Sequence, residues 1–170
     1  MNSSFKTLLL LLFVVGVSWG VPVAQGQKKT PIIYPMGYRH WTLVKSMVIF
    51  GSQHPLSNQF GGLHNVYVND LGVRSLQQGR AYPDGTIFVF DLYDIRSAQG
   101  AIETRDRKFI GVMKKNAKLY ASTGGWGWEV FKGYEETGSL QDMKQCFDCH
   151  SKQKRADYVF STYSLVCRPT

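Results

Sequence analysis

Alternating apolar and polar residues dominate the middle of the chain, and this pattern predicts β-strands. Residues 63–68 and 86–93 are rich in the β-branched and aromatic side chains that strands favour. Runs of the same character cover residues 42–50, 109–114 and 126–131. Strands that follow one another with turn residues between them favour antiparallel pairing, so we predict a mainly β domain built on an antiparallel sheet.

Helical patterns are short and lie beside these strands. Residues 70–78 predict a helix that ends at Gly79, and residues 82–85 contain the Pro and Gly of a turn. Ser139 and Asp142 are both candidate N-caps for a helix that runs towards residue 150. The predicted fold class is therefore mainly β (α+β), with short helices flanking an antiparallel sheet.

The N-terminal residues depart from the strand pattern. Lys6 precedes an apolar run over residues 8–17, and small residues such as Ala24 follow it. A run of about ten residues is too short for a transmembrane helix, which needs about twenty. We predict a cleavable signal peptide over residues 1–26 and one domain over residues 27–170, in a periplasmic or secreted protein. The alternative is an uncleaved membrane anchor.

Composition and charge narrow the function classes. Hydrophobic residues make up 44% of the chain and charged residues 19%, as in an ordinary globular domain. The formal net charge of +8 suits an acidic redox partner or the carboxylates of a cofactor, and a solvated surface explains it equally well. Lys152, Lys154 and Arg155 form only a short basic cluster, so we expect no nucleic-acid partner.

The most informative motif is a Cys-x-x-Cys-His run at residues 146–150. Two thiols at this spacing can add across the two vinyl groups of a haem, and the adjacent imidazole can then bind the iron. The motif predicts one covalently bound haem c, with Cys146 and Cys149 as thioether residues. His150 is then the proximal axial ligand.

Three other interpretations of the cysteines are weaker. A thioredoxin-like redox pair needs a strand–helix context that the flanking residues lack. A zinc site needs further ligands at suitable spacing, and only Cys167 follows. A disulfide between Cys146 and Cys149 would explain neither His150 nor the signal peptide. Cys167 itself is assigned no role.

The motif's place near the C-terminus limits the second axial ligand. Only twenty residues follow His150, and none of them is Met or His. A small helical electron carrier, which takes a Met ligand from downstream of its haem motif, is therefore excluded. A second ligand would come from His40, His54, His64 or an upstream Met, unless the sixth position is open. Iron with an open sixth position binds gases or substrates, whereas iron with six ligands mostly transfers electrons.

Together these segments resemble the cytochrome P-460 family, and the closest type is cytochrome c′-beta. The matching segments occur in the family's order: residues 34–41, 66–68, 82–86, 124–126, 146–150 and 157–160. The resemblance implies a β-rich haem domain, usually a homodimer, with five-coordinate iron. It also implies one of two activities. Cytochromes P-460 oxidise hydroxylamine and carry a bond between a lysine and the haem, whereas cytochromes c′-beta lack that bond and bind nitric oxide.

The position that separates these two classes holds Phe90 here. No Lys lies between Arg80 and Arg107, so the cross-linking lysine is missing. Phe60 lies where the family places a distal-pocket Phe. An apolar cap disfavours charged or strongly hydrogen-bonding ligands and suits nitric oxide or carbon monoxide. Ordinary core packing is the alternative role of both Phe residues.

The sequence therefore favours nitric oxide binding, for capture, detoxification or sensing, over two alternatives. One is a hydroxylamine-oxidising enzyme, which needs a base near the iron; Glu103 and Asp106, predicted to lie in a loop, are candidates. The other is a simple electron carrier with a soluble redox partner. Arg39 and Lys45 are candidate partners for the haem propionates, and surface placement is the alternative for both.

Overall fold

A single five-stranded sheet forms the centre of the computed structural model, which describes residues 32–140 and 142–163. Each strand pairs antiparallel with the next one in the chain. The strands are β1 (Thr42–Ile49), β2 (Gly62–Val68), β3 (Ile87–Ala98), β4 (Ala101–Lys115) and β5 (Trp126–Lys132). The predicted fold class and all five predicted strands are confirmed. The predicted signal peptide and Cys167 lie outside the described residues.

Three short α-helices flank the sheet: α1 (Ser57–Phe60), α2 (Asp70–Gln78) and α3 (Lys144–His150). The bounds of α2 are those predicted, because the Asn69 side chain accepts a hydrogen bond at its start and Gly79 ends it at a φ of 60°. Asp142 lies at the start of α3, where its side chain accepts from the Lys144 N–H at 2.8 Å. Ser139 instead donates to the Val130 carbonyl.

Helix α1 was not predicted from the sequence, since a single turn of four residues leaves no periodic pattern. Three 3₁₀ turns complete the described structure, at Tyr38–His40, Ala121–Thr123 and Ser151–Ala156. None of the helices in the described ranges is both long and apolar enough to cross a membrane.

Strands β3 and β4 extend well beyond their predicted ends. They continue as an exposed two-stranded hairpin whose turn contains Gln99 at a φ of 51° and Gly100 at 77°. This left-handed pair matches the twist of antiparallel strands. The expectation that Glu103 and Asp106 lie in a loop is therefore wrong. Both residues belong to β4, where solvent on each side of the hairpin removes the apolar alternation that reveals a strand.

The sheet has two covered faces, because side chains alternate along each strand. The front face is defined by Phe88, Phe90, Met113 and Trp128. The back face is defined by Val89, Asp91, Ile110 and Phe131. Helices α2 and α3 pack on the front face, together with the residues that follow α3. The N-terminal segment from Ile32 to Trp41 packs on the back face.

Candidate functional site

Helix α3 carries the Cys-x-x-Cys-His motif and presents it beside the front face. Residues three and four apart lie on one side of a helix, so Cys146, Cys149 and His150 share a side. The two cysteines form no disulfide; Cys146 is half-buried and Cys149 is exposed. Phe147 anchors the helix, because its ring packs 6.2 Å from that of Trp128. Both cysteines are therefore thiols on one side of a helix that is packed against the sheet, as covalent attachment of a haem requires.

His150 is held in one tautomer by its surroundings. Its ring lies 5.6 Å from the Trp128 ring and 5.0 Å from the Phe160 ring. Its Nδ1 lies 2.7 Å from the Tyr158 carbonyl oxygen. A carbonyl can only accept, so Nδ1 carries the proton and donates. Nε2 then carries the lone pair that a metal ligand needs.

Burial also favours the metal-binding form of His150. Removal from water lowers the pKa of the imidazole, and the hydrogen bond to the Tyr158 carbonyl opposes this effect. The neutral imidazole is the form that ligates iron. Together, the two thiols and the neutral, oriented imidazole fit the requirements of a c-type haem.

Three phenylalanines form a continuous apolar surface on the front face, which we call the aromatic wall: Phe60 from α1, Phe90 from β3 and Phe109 from β4. Their ring centroids lie 5.6 Å apart for Phe60 and Phe90, 6.2 Å for Phe60 and Phe109, and 5.9 Å for Phe90 and Phe109. The structure thus brings together the two residues singled out in the sequence. Phe109 was missed, because only the register of β4 against β3 places it beside them.

His64 lies next to the aromatic wall. Its ring centroid is 4.6 Å from that of Phe90, and the residue is 3% exposed. Nδ1 is buried without a hydrogen-bond partner in the described structure. Burial, followed by the charge of Lys45, lowers the pKa of His64 to about 4. His64 is therefore a neutral, buried imidazole at pH 7, whereas His40 and His54 are exposed.

Arg39 lies on the back face, away from the motif. Its Nη2 is 3.5 Å from Asp91 Oδ2, and it also hydrogen-bonds the Tyr93 hydroxyl. The structure does not bring Arg39 together with Cys146–His150, so its pairing with a haem propionate stays a prediction. Lys45 lies on the front face, because it pairs with Val66 in the β1–β2 register.

Asp91 is the centre of a buried polar cluster that the sequence analysis missed. Its side chain is 1% exposed, and Arg107 Nε lies 3.0 Å from its Oδ1. The hydroxyls of Tyr38 and Tyr93 donate to Oδ2 at 2.5 and 2.8 Å. The available signal was a carboxylate in the middle of an apolar strand, since such a group needs a cation or several donors.

A second buried ion pair lies on the front face beside the residues that follow α3. Lys115 Nζ is 2.7 Å from Asp157 Oδ1, with side chains 10% and 15% exposed. The sequence pointed to Asp157 only as part of the family segment 157–160. Its partner Lys115 gave no signal, because the last residue of a strand is commonly a solvated lysine.

Comparison with known families agrees with this geometry. The family model described as Cytochrome P460 matches residues 35–161, a span that includes the whole sheet, the aromatic wall and the Cys-x-x-Cys-His motif. No curated protein matches the chain. Because the family match covers most of the chain, this protein belongs to the cytochrome P460 family, and the cofactor that the family implies is haem.

Proposed function

We propose that this protein is an exported mono-haem c-type cytochrome that binds nitric oxide or a similar small, neutral gas. Cys146 and Cys149 would hold the haem through thioether bonds, and His150 would be the proximal ligand through Nε2. The haem, when bound, supplies a redox-active iron with a position for an external ligand. Phe60, Phe90 and Phe109 would line the side on which that ligand binds.

The observation that carries the proposal is the position of the aromatic wall. It lies on the same face of the sheet as α3, the helix that would hold the haem. Phenyl rings offer neither a proton donor nor an acceptor, and a ligand with charge or strong hydrogen bonds would lose solvation there. Nitric oxide and carbon monoxide lose little, because water solvates both weakly.

Hydroxylamine oxidation is the second candidate, and His64 is the observation that favours it. An imidazole beside Phe90 brings a nitrogen atom to an otherwise apolar surface. A base removes protons efficiently when its pKa is near the working pH, and a pKa of about 4 makes His64 a weak base at pH 7. The carboxylates of Glu103 and Asp106 are exposed, and Glu103 pairs with Arg96. These facts rank gas binding first.

Optical and resonance Raman spectra of the purified holoprotein test the proposal. We expect a high-spin, five-coordinate ferrous haem that binds nitric oxide and keeps its haem under denaturing conditions. A ferrous Soret band shifted strongly to the red would indicate a lysine-type cross-link and overturn the first candidate. A low-spin, six-coordinate spectrum that nitric oxide leaves unchanged would support a plain electron carrier instead.

Two variants make this test specific to named residues. His150→Ala should lose normal iron ligation, and an unchanged spectrum would refute the role of His150. Phe90→Lys places a lysine where the cross-linked relatives carry one, so a red-shifted ferrous Soret band in this variant alone would link the resemblance to this position. Phe88→Leu is the matched control, because Phe88 lies two residues away in β3 on the same face.

The cellular setting is proposed on the sequence and on the resemblance. We propose export directed by residues 1–26, and a homodimer in solution with a soluble redox partner. N-terminal sequencing of the mature protein from the periplasm tests the first statement. Light scattering on the holoprotein tests the second, and a monomeric mass at micromolar concentration would refute it.

A further inference from the structure

The chain makes an unusual turn after the 3₁₀ segment Ser151–Ala156, which directly follows α3. Asp157 has a φ of 48° and Tyr158 a φ of 66°. They are two of the three residues other than glycine with positive φ in the described parts of the chain. Aspartate tolerates this conformation, but it is costly for a bulky residue such as tyrosine. Strain of this kind persists only where the surroundings fix the backbone, and it is concentrated at functional sites.

The Asp157 carboxylate is fixed by three groups, two from strands β4 and β5 and one from the loop before β3. Lys115 Nζ contacts both of its oxygens, at 2.7 and 2.9 Å. The Tyr82 N–H donates to Oδ2 at 2.9 Å, and Trp126 Nε1 donates to Oδ1 at 3.2 Å. Lys115 is in turn fixed, because Nζ donates to the Gly124 carbonyl at 3.2 Å and lies 4.8 Å from the Trp126 ring centroid.

The side chain of Tyr158 is fixed as well. Its ring lies 5.9 Å from that of Phe147, the anchor of α3. It also covers Gly124, where an added Cβ would lie 2.3 Å from ring carbons. Gly124 itself has a φ of 68°, so two independent reasons require glycine at this position. Both residues of the turn are thus held by contacts with other parts of the chain.

The turn has one direct consequence for His150. It aims the Tyr158 carbonyl at Nδ1, at 2.7 Å, and this contact sets the tautomer in which Nε2 is available. We propose that the Lys115–Asp157 ion pair is a positioning device for the axial ligand. By holding residues 157–158 in the left-handed conformation, it orients the imidazole of His150 and strengthens its donation to the haem iron. This inference rests on the proposed role of His150 as that ligand.

The ferrous iron–histidine stretching band of the holoprotein is the sharpest readout. A hydrogen bond from Nδ1 raises the basicity of Nε2, so its loss should lower the stretching frequency and broaden the band. We expect this shift in Lys115→Met and, to a smaller extent, in Asp157→Asn, because Asn also tolerates positive φ and keeps one acceptor oxygen. The reduction potential should rise in both variants, since a weaker donor stabilises ferric iron less.

A matched control separates positioning from general stability. Arg107→Met breaks the buried ion pair of the back face, which contacts neither α3 nor residues 157–158. It should destabilise the fold while leaving the stretching band and the potential in place. Hydrogen exchange of the His150 Nδ1 proton, measured by NMR on the diamagnetic carbon monoxide complex, gives a second readout, and we expect faster exchange in Lys115→Met than in the parent protein.

Failure of this inference is distinguishable from failure of the proposed function. If His150→Ala leaves the stretching band intact, His150 is not the ligand and the proposed function falls. If His150→Ala abolishes the band but Lys115→Met and Asp157→Asn both keep it at the parental frequency and width, the positioning role is overturned. An equal shift in Arg107→Met would also overturn it, because the effect would then follow stability alone.

Discussion

Each face of the sheet holds a largely buried ion pair with a short contact between a carboxylate and a cation, and the two pairs are connected differently. On the back face Asp91 pairs with Arg107, and the remaining contacts come from side chains. On the front face Asp157 pairs with Lys115, and one of its other donors is the backbone N–H of Tyr82. The back pair joins the sheet to the N-terminal segment. The front pair joins it to the strained turn beside His150.

This difference shows that two similar ion pairs can have different roles within one small sheet. Breaking either pair leaves a charge with fewer partners, which costs stability on both faces. Only the front pair lies beside the turn that contacts His150, the residue that we propose as the haem ligand. We therefore expect substitutions in the back pair to change the free energy of unfolding but not the haem spectrum. Substitutions in the front pair should change both.

The largest effect is expected when the back pair is broken. Arg107→Met leaves Asp91 buried without its close cation, and we expect a loss of about 3–5 kcal/mol in the free energy of unfolding. Denaturant titration of the holoprotein measures the loss, and the haem spectrum should stay unchanged. A double change, Arg107→Met with Asp91→Asn, should lose less than the sum of the two single changes. A loss below 1 kcal/mol for Arg107→Met would contradict this view of the pair.

The next largest effect is a pH dependence due to His64. Its folded pKa of about 4 lies below the ordinary value of 6.5, so the folded state binds fewer protons than the unfolded state between these values. Stability contributed by the neutral imidazole is complete above pH 6.5 and declines as the pH falls towards 4. The loss should be at most about 3 kcal/mol. His64→Phe should remove this component from the stability–pH curve, and a curve of unchanged shape would exclude His64 as its source.

A smaller loss of stability is expected from the front pair. After Lys115→Met, Asp157 keeps the donors from Tyr82 and Trp126 and some contact with water, so we expect a loss of about 1–2 kcal/mol. Denaturant titration against the parent protein checks the value. The comparison of the two faces fails if this variant loses as much stability as Arg107→Met while its haem spectrum stays the same.

The smallest effect concerns the Tyr93 hydroxyl of the back cluster. Tyr93→Phe removes a donor to Asp91 and an exposed acceptor for Arg39, but leaves Arg107 and the Tyr38 hydroxyl in place, and we expect a loss of about 1 kcal/mol. Burial, and then the hydrogen bond to Asp91, raises the pKa of Tyr38, so its hydroxyl remains a donor at neutral pH. Thermal unfolding detects a change of this size. A shift in the haem spectrum would show that the two faces are coupled.

Local patterns in the sequence predicted the elements well where burial is one-sided. Strands β2 and β5 and helix α2 alternate or repeat clearly, so their positions followed from periodicity and capping. The outer hairpin of β3 and β4 was missed, because residues solvated on both sides carry no such pattern. Phe60 and Phe90 were found only through the family resemblance, and their contact with Phe109 depends on strand register.

The sequence by itself determined the attachment chemistry that we propose and the class of the fold. The spacing of Cys146, Cys149 and His150 needs no partner from elsewhere in the chain, and five alternating segments suffice for an antiparallel sheet. The tertiary structure decided which polar groups meet: Asp157 with Lys115 across 42 positions, Asp91 with Arg107, and His64 with the aromatic wall. The physical reason is that the free energy of burying a charge or an imidazole depends on neighbours distant in sequence, and no local pattern specifies those neighbours.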